Sequence, residues 1–317
     1  MQNTPSTLLP RARLGTPDRL GPAWAITTFV LVVDAVWLAI EGWSVTDRGL
    51  IVLALGMAAC LAPLSIGRYR RDSRIAATTS YCALLLLFQA AAATLSYLVV
   101  STNAPLVDAP LDAWDRAIGF DWLALQAWLQ THTSVHALLR VAYASGLLQL
   151  VFVVVFLGLT GRREQLAEFM LLFMGATLVT IVVSGVFPAA GAWKFYAVTA
   201  SFDLSMLSHF EPLRDGRLRE IALDRMQGLI AIPSLHAAMA VLLVYAVRAT
   251  RFVLPAFIVL DLAMLVSTPI DGGHYLVDVL AGTAMALALV AFSRRHAARA
   301  QGAMPIAPIA NLGALPR

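Results

Sequence analysis

The chain has 317 residues, of which 59% are hydrophobic and only 13% are charged, and its formal net charge is +4. A soluble domain carries about 25% charged residues, so this composition excludes a soluble globular enzyme, a disordered chain and a secreted disulfide scaffold. The small positive charge is better explained by basic residues beside membrane segments than by nucleic-acid binding. The composition predicts a polytopic membrane protein.

The N-terminal segment, residues 1–22, contains four prolines and three arginines and predicts a cytoplasmic tail. Eight apolar segments follow, each near the roughly 20 residues that a membrane-spanning helix needs. They lie at about 23–40, 49–66, 76–101, 135–159, 165–188, 234–249, 252–268 and 274–293. We expect an all-α polytopic bundle of about eight transmembrane helices. Its predicted parts are two additional helices at 23–75, a six-helix core at 76–296 and a disordered cytoplasmic tail at 297–317.

Basic residues mark one face of this layout. The N-terminal tail, the gaps after the second, fourth and sixth apolar segments, and the C-terminal tail hold fifteen of the 23 basic residues. Eight spans place all these segments on the same side of the membrane. Because arginine and lysine concentrate in cytoplasmic loops, we expect both termini to be cytoplasmic. The longer and more acidic loops then lie on the opposite, outer face.

One outer loop carries an amphipathic pattern. Between residues 108 and 130, apolar side chains recur at helical spacing at Leu111, Trp114, Ile118, Trp122, Leu125 and Leu129. Such a stripe predicts a helix that lies in the membrane interface with its tryptophans at headgroup depth. We interpret this helix as a membrane anchor rather than as part of a binding site.

Two polar clusters lie at the outer ends of apolar segments. His274 and Asp278 are four residues apart, so on a helix they share one face. The carboxylate can then accept the proton of one imidazole nitrogen and leave the other nitrogen as a nucleophile or base. Pro233-Ser234-Leu235-His236 contains a helix-start signal, and a helix start suits an anion such as phosphate. The presence of two histidines at the outer face predicts a division of roles: one attacks the substrate, and the other exchanges a proton with the leaving group.

These clusters resemble signature motifs of the type 2 phosphatidic acid phosphatase superfamily. Pro233-Ser234-Leu235-His236 is similar to the second motif, and the spacing of Ser267, His274 and Asp278 is similar to the third. The features that most resemble the inositol phosphorylceramide synthase branch are Ser267-Thr268, His274-Tyr275, Asp278, Ala281-Gly282 and Val186–Ala190 with the nearby Trp193, Lys194 and Tyr196. The resemblance covers about residues 80–295.

The resemblance implies a six-helix core and a two-step phosphoryl transfer that needs no metal and no other cofactor. His274, oriented by Asp278, would attack phosphorus and form a phosphohistidine. His236 would protonate the departing oxygen and then deprotonate the acceptor. The groups expected to hold the nonbridging phosphate oxygens are Ser234, Ser267, Lys194 and the backbone amides of Gly272 and Gly273.

Two departures from the superfamily pattern bear on the substrate. Most of its phosphatases have arginine where this chain has Thr268, and their first motif, a lysine and an Arg-Pro pair seven residues apart, is absent. Fewer cations favour a phosphodiester over a phosphomonoester, because the diester carries less charge. Lys194, the single lysine, is the expected replacement. The nearby Arg214, Arg217, Arg219 and Arg225 are expected to pair on the surface with Asp215, Glu220 and Asp224.

Other polar residues have simpler interpretations. His132 and His136 have the spacing of a zinc pair, but no third ligand of suitable type is near them in the sequence, so no metal site is expected. Asp34 and Asp261 lie within apolar segments and are expected to hydrogen-bond between helices.

Three functions fit these features. The first is a lipid phosphotransferase that moves a phosphorylated headgroup to a hydroxyl acceptor such as a ceramide-like alcohol. The second is a lipid phosphate phosphatase with water as the acceptor, and the third is a non-enzymatic transporter or flippase on the same fold. A membrane lipid and a hydroxyl acceptor are the expected partners. The abundance of alanine and arginine points to a GC-rich bacterial genome, hence to the inner membrane, with the active site on the periplasmic or extracellular face.

Overall fold

A computed structural model describes residues 20–197 and 208–302. Of the predicted N-terminal tail, residues 1–19 lie outside the described residues, as does the C-terminal tail from residue 303. Residues 297–302, expected to be disordered, instead continue the last helix. Alanine and arginine are strong helix formers, and residues 297–301 contain no proline and no glycine.

The described residues form α-helices joined by short loops, with one pair of two-residue strands. In chain order the helices are α1 (Leu20–Glu41), α2 (Asp47–Leu61), α3 (Gly67–Arg71), α4 (Ser73–Ser101), α5 (Asp108–Ala117), α6 (Trp122–Thr131), α7 (Thr133–Ala144), α8 (Gly146–Leu159), α9 (Arg163–Val186), α10 (Ala192–Phe195), α11 (Phe210–Arg214), α12 (Leu235–Ala246), α13 (Leu254–Asp271) and α14 (Leu276–Gly302). The strands are β1 (Ser44–Val45) and β2 (Glu220–Ile221), and 3₁₀ turns cover Ala62–Ser65 and Leu223–Arg225.

The predicted all-α polytopic bundle is confirmed, and the chain is an integral membrane protein. Six of the described helices are long and apolar enough to cross a membrane. The segment predicted as one span at 135–159 is divided into α7 and α8, which meet at an angle of 43° around Ser145. They supply a seventh crossing if the bent pair forms one span. The segment predicted at 234–249 is the 12-residue α12, so the count of eight stays a prediction.

Contacts between loops agree with the predicted alternation of faces. β1 follows α1 and pairs in parallel with β2, which precedes α12, so these two loops lie at the same end of the bundle. At the other end, Arg162 Nη1 donates to the Ala249 carbonyl over 3.3 Å, and Arg163 donates to the Ser73 carbonyl. The loops predicted for one side of the membrane therefore meet one another.

Apolar side chains of α4, α8, α9 and α12 form the main core. Phe88 of α4 and Phe173 of α9 pack edge to face, with their ring centroids 6.5 Å apart. Leu150 of α8 and Leu243 of α12 are fully buried in the same cluster. By contrast, α2 buries only Gly49. The apolar surface of α2 is thus left for lipid, whereas the four core helices pack on one another.

The outer loop at 108–130 differs from the single interfacial helix that the sequence predicted. The chain breaks at Gly119, whose φ of +83° favours glycine, and it forms α5 and α6 on either side. Leu111 and Trp122 are almost fully buried, and Trp122 Nε1 donates to the Pro269 carbonyl over 2.9 Å. Trp114 remains 58% exposed. Helix α6 therefore covers the C-terminal end of α13 and α5 packs on the start of α14, because one side of the apolar stripe packs on protein.

Candidate active site

His236 lies at the start of α12, as the helix-start signal predicted. Ser234 is the N-cap residue, with φ −66° and ψ 117°, and its hydroxyl accepts a hydrogen bond from Ala237 N over 3.4 Å. This bond satisfies one of the free N–H groups at the helix start. The cap fixes where α12 begins and so places His236 in its first turn.

His274 lies in the turn between α13 and α14, not on a helix with Asp278 as the sequence predicted. Helix α14 begins at Leu276 because two carboxylates take the N–H groups before and within its first turn. Asp278 Oδ2 accepts from Tyr275 N over 3.0 Å, and Asp115 of α5 accepts from Leu276 N over 2.7 Å and from Val277 N over 2.9 Å. These caps hold the turn that carries His274.

The two ring nitrogens of His274 face Ser234 and Asp278. Its Nε2 lies 3.3 Å from Ser234 Oγ, and its Nδ1 lies 3.5 Å from Asp278 Oδ2. Ser234 and Asp278 are fully buried, and His274 is 5% exposed. The 3.5 Å separation is longer than an ordinary hydrogen bond, and such catalytic contacts often shorten only when substrate binds. The fold thus brings residues of both motifs together across 40 positions of sequence.

A glycine allows α12 and α14 to approach closely at this point. A Cβ atom built on Gly282 would lie 2.2 Å from the Ser234 carbonyl oxygen, a distance that real Cβ atoms do not show. Ser234 N also donates to the Asp278 carbonyl over 3.0 Å. Gly282, which the sequence marked only through a resemblance, is therefore required for the contact between the two motifs.

Both histidines line one cavity of about 270 Å³ between α4, α7, α9, α12 and the α13–α14 turn. Its described lining residues are Gln89, Ala92, Ala93, Ser96, Tyr143, Thr177, Thr180, Ile181, Gln227, Gly228, Leu229, Ile230, Leu235, His236, Gly272 and His274. None of them is a lysine, an arginine or an acid. The cavity offers neutral hydrogen-bonding groups and two imidazoles to a bound molecule.

Tyr143 is a residue of this cavity that the sequence reasoning missed. Its hydroxyl lies 3.2 Å from His236 Nδ1, and the two rings stack with centroids 4.3 Å apart. The two residues are 93 positions apart. A tyrosine inside an apolar segment carries no signal that would have identified this contact.

The structure uses several of the predicted phosphate-binding groups in other contacts. Ser267 Oγ donates to the Met264 carbonyl over 2.8 Å. The amide of Gly272 donates to the Thr268 carbonyl over 3.0 Å, and that of Gly273 donates to the Ile270 carbonyl over 3.2 Å. Of these groups, only Gly272 lines the cavity. These hydroxyl and amide donors already bond to backbone carbonyls near the C-terminal end of α13.

The two glycines have a packing role instead. Gly273 has φ +63°, and a Cβ on it would lie 2.4 Å from the indole ring of Trp193. Its carbonyl accepts from Ala192 N over 2.7 Å. On Gly272, a Cβ would lie 2.7 Å from His274 Cδ2 and 3.0 Å from Tyr143 Oη. Close approach was expected of these residues, but the groups that approach belong to the protein.

Lys194 lies on α10, outside the described lining of the cavity. Its ammonium group pairs with Glu211 and lies 4.5 Å from the centre of the Phe210 ring. Of the four surface arginines, two contact an acid that the sequence predicted and two contact other groups. Arg217 pairs with Asp215 at 2.5 Å, Arg225 lies 4.0 Å from Asp224, Arg219 contacts Glu41 at 3.9 Å, and Arg214 donates to the Ala104 carbonyl over 2.9 Å.

Two buried carboxylates of α5 support the site, and the sequence reasoning missed both. Asp108 accepts from Ala190 N and Gly191 N, each over 2.9 Å, and from Tyr275 Oη over 3.0 Å. Asp115 caps α14 as described above, and burial raises its pKa above the ordinary value. The pKa of Tyr275 is also raised, chiefly by burial and then by Asp108. Their partners are distant in sequence, so no local pattern marks them.

The remaining polar residues that the sequence analysis singled out have other partners than the two motif histidines. His136 does not pair with His132: its Nε2 lies 3.1 Å from Asp271 Oδ1, while His132 stacks on Trp128. Asp261 of α13 faces Gln149 of α8, which is an interhelical contact as expected, although neither carboxylate oxygen forms a short hydrogen bond. The buried carboxylate oxygens of Asp34 have no hydrogen-bond partner in the part of the chain described here.

The arrangement has the elements of histidine-based phosphoryl transfer. Asp278 can hold the proton of His274 Nδ1, which leaves the lone pair of Nε2 to attack phosphorus. His236 lines the same cavity and can exchange a proton with a substrate oxygen.

A family model described as the PAP2 superfamily matches residues 109–292. That range runs from α5 to α14 and includes both histidine motifs and the cavity-lining part of α7. The search of curated proteins and the search of solved structures each returned no match.

Proposed function

Because the chain belongs to the PAP2 superfamily, we propose that it is a membrane-embedded lipid phosphotransferase of the inositol phosphorylceramide synthase-like branch. It moves a phosphorylated headgroup from a phospholipid to a hydroxyl acceptor through a phosphohistidine. Superfamily membership itself supports the coarser statement, a lipid phosphatase or phosphotransferase. The geometry and charge of the cavity support the finer one.

In the first step, His274 Nε2 attacks phosphorus and the bond from phosphorus to the lipid alkoxide breaks. Asp278 stabilises the positive charge that develops on the imidazole, because its carboxylate faces Nδ1 at 3.5 Å. His236 gives its proton to the departing oxygen. The products of this step are a diacylglycerol-like alcohol and a phosphohistidine that carries the headgroup.

In the second step, the acceptor hydroxyl gives its proton to His236 and attacks phosphorus. The bond from phosphorus to His274 Nε2 breaks, and the imidazole returns to its neutral state. Ser234 Oγ, which lies 3.3 Å from Nε2, donates to a nonbridging oxygen during both steps. A hydroxyl acceptor gives transfer, and water gives hydrolysis.

The absence of cations from the described cavity wall is the observation that carries the choice of transfer over phosphomonoester hydrolysis. The described lining contains no lysine and no arginine, and Lys194 is paired with Glu211 outside it. A phosphodiester carries one negative charge, whereas a monoester carries about 1.5 to 2 at neutral pH. A wall of neutral donors and imidazoles suits the diester.

The proposal includes an orientation in the membrane. The bundle would have eight spans, with α12 as a short one and α7–α8 as a bent one, and both termini in the cytoplasm. The cavity, close to the outer caps α5 and α6, would then open towards the periplasmic or extracellular face of a bacterial inner membrane. The cluster of arginines at the other end supports this orientation.

Purified protein in lipid vesicles tests the function directly. Phospholipid labelled in its headgroup is supplied with and without ceramide or a polyol. We expect a labelled transfer product that depends on the acceptor, and no product from His274→Ala. His132→Ala, which changes an exposed histidine away from the cavity, is the control. Release of the labelled phosphorylated headgroup irrespective of acceptor would instead identify a hydrolase, and full activity of His274→Ala would refute the mechanism.

A further inference from the structure

Helix α7 presents three polar side chains towards the site along one face. His136, Arg140 and Tyr143 follow one another at intervals of four and three residues, so they lie in one row along the helix. The row meets the outer end of α13 and the start of α12. None of these residues belongs to a histidine motif.

The outer part of this row anchors α7 beside the turn that carries His274. His136 Nε2 lies 3.1 Å and Arg140 Nε lies 3.7 Å from Asp271 Oδ1. Asp271 is 7% exposed, and it immediately precedes Gly272 in the cavity wall. The contacts therefore set the position of α7 relative to the site.

The inner end of the row reaches His236. Tyr143 Oη lies 3.2 Å from His236 Nδ1, with the rings inclined by 25° and their centroids 4.3 Å apart. Gly272 leaves room for the hydroxyl, because a Cβ there would lie 3.0 Å from Tyr143 Oη and 2.7 Å from His274 Cδ2. The tyrosine hydroxyl thus lies between the two segments that carry the histidines.

We propose that Tyr143 is a positioning residue that holds the Nδ1 side of His236, so that Nε2 is the nitrogen that exchanges protons with the substrate. The proposal rests on the proposed function, in which His236 is the acid and base. Stacking fixes the plane of the imidazole ring, and the hydroxyl fixes its rotation within that plane. Neither contact requires Tyr143 to touch the substrate.

The proton balance of both steps is compatible with this role. To act as the acid of the first step, His236 must carry a proton on both ring nitrogens, and its Nδ1–H then donates to Tyr143 Oη. Its Nε2 proton passes to the departing alkoxide as the bond from phosphorus to that oxygen breaks, and the Nδ1–H bond to Tyr143 is kept. In the second step Nε2 takes the proton of the acceptor hydroxyl. The tyrosine therefore accepts the same hydrogen bond throughout the cycle.

The dependence of the rate on the leaving group tests this role, because a good leaving group departs without being protonated by an acid. The probes are two synthetic diesters, methyl p-nitrophenyl phosphate and methyl dodecyl phosphate, and the readout is release of nitrophenol or dodecanol in a single turnover. In both probes the methyl phosphoryl group stands for the headgroup that stays on His274, and the other alcohol departs. We expect Tyr143→Phe to slow the dodecyl ester by about tenfold to a hundredfold, part of the 10²–10⁴ that an acid contributes. The p-nitrophenyl ester should change by less than about threefold. Tyr69→Phe, on α3 at the opposite end of the bundle, is the matched control and should change neither.

His236→Ala separates failure of the inference from failure of the proposed function. If His236→Ala slows both diesters equally, His236 is not the acid and both proposals are wrong. If His236→Ala slows only the dodecyl ester but Tyr143→Phe slows both equally, the positioning role alone is wrong. We expect selective loss in each, and the double variant should be no slower than His236→Ala alone, because the tyrosine acts through the histidine.

Discussion

Ser234 Oγ lies 3.3 Å from His274 Nε2, and the same hydroxyl caps the first turn of α12. One side chain therefore starts the helix that carries His236 and contacts the ring nitrogen of His274. Because both residues are buried, neither contact is exchanged with bulk water. The position of the two motif histidines depends on this shared atom, on the glycine beneath it and on the caps of α14.

Ser234→Ala should affect both stability and activity. Loss of an N-cap side chain costs about 1 kcal/mol, and loss of a hydrogen bond to the reacting histidine should slow turnover by roughly tenfold. Thermal unfolding in mild detergent and the transfer assay measure the two effects. Ser234→Thr keeps the hydroxyl and should recover part of both. Equal turnover of Ser234→Ala and the unaltered protein would show that the contact with His274 has no catalytic consequence.

Gly282→Ala should destabilise the protein and inactivate it. The added Cβ would lie 2.2 Å from the Ser234 carbonyl oxygen, so α14 must move away from α12, at a cost of about 1–3 kcal/mol. Gly175→Ala in α9 is a control, because a Cβ there meets nothing within 4 Å. That change should be neutral or slightly stabilising, since alanine favours helix over glycine. The prediction fails if both variants unfold at the same temperature.

Asp115→Ala should lower activity more than its effect on folding would suggest. It leaves the N–H groups of Leu276 and Val277 without their acceptor, at about 1–3 kcal/mol for each that stays buried, and it loosens the turn of His274. Asp121→Ala removes the cap of α6, where Asp121 accepts from Ala124 N over 2.9 Å. We expect that control to keep its turnover number. Phosphoenzyme formation by folded protein, measured in single turnovers, is the appropriate comparison.

Lys194→Ala should reduce activity by less than about tenfold, because its ammonium group is engaged by Glu211 and lies outside the described cavity wall. Loss of an exposed ion pair is worth about 0–1 kcal/mol. Glu211→Ala should have the same small effect, since the two side chains act together. Steady-state kinetics with the phosphodiester substrate provides the measurement. A loss of a hundredfold or more in Lys194→Ala alone would restore the lysine as a phosphate ligand.

The helical bundle and the two histidine clusters were predictable because their signals are local. Apolar length identifies spans, and a proline followed by serine identifies the start of α12. The supporting residues were not predictable, because each acts on a distant partner: Tyr143 on His236, and Asp115 on Leu276. A carboxylate or a tyrosine has the same sequence appearance whether it caps a remote helix or faces solvent.

The glycines illustrate the same limit more sharply. The sequence predicts that the backbone amides of Gly272 and Gly273 bind a phosphate. In the structure the groups that closely approach these glycines are Trp193, His274 and Tyr143. His274 does lie beside Asp278, as the sequence predicted, but the two residues are not on one helix. Caps from Asp115 of α5 and from Asp278 start the helix only after His274.

The attachment of α5 to the first turn of α14 has a consequence for how lipids reach the cavity. If α5 moved away to admit a lipid, Leu276 and Val277 would lose the acceptor that Asp115 provides. The turn that carries His274, the proposed nucleophile, would then lose its support as the lipid entered. The contacts of Asp115 thus favour a fixed α5. If the proposed function holds, long-chain substrates and products would enter and leave between helices, within the plane of the bilayer, rather than past α5.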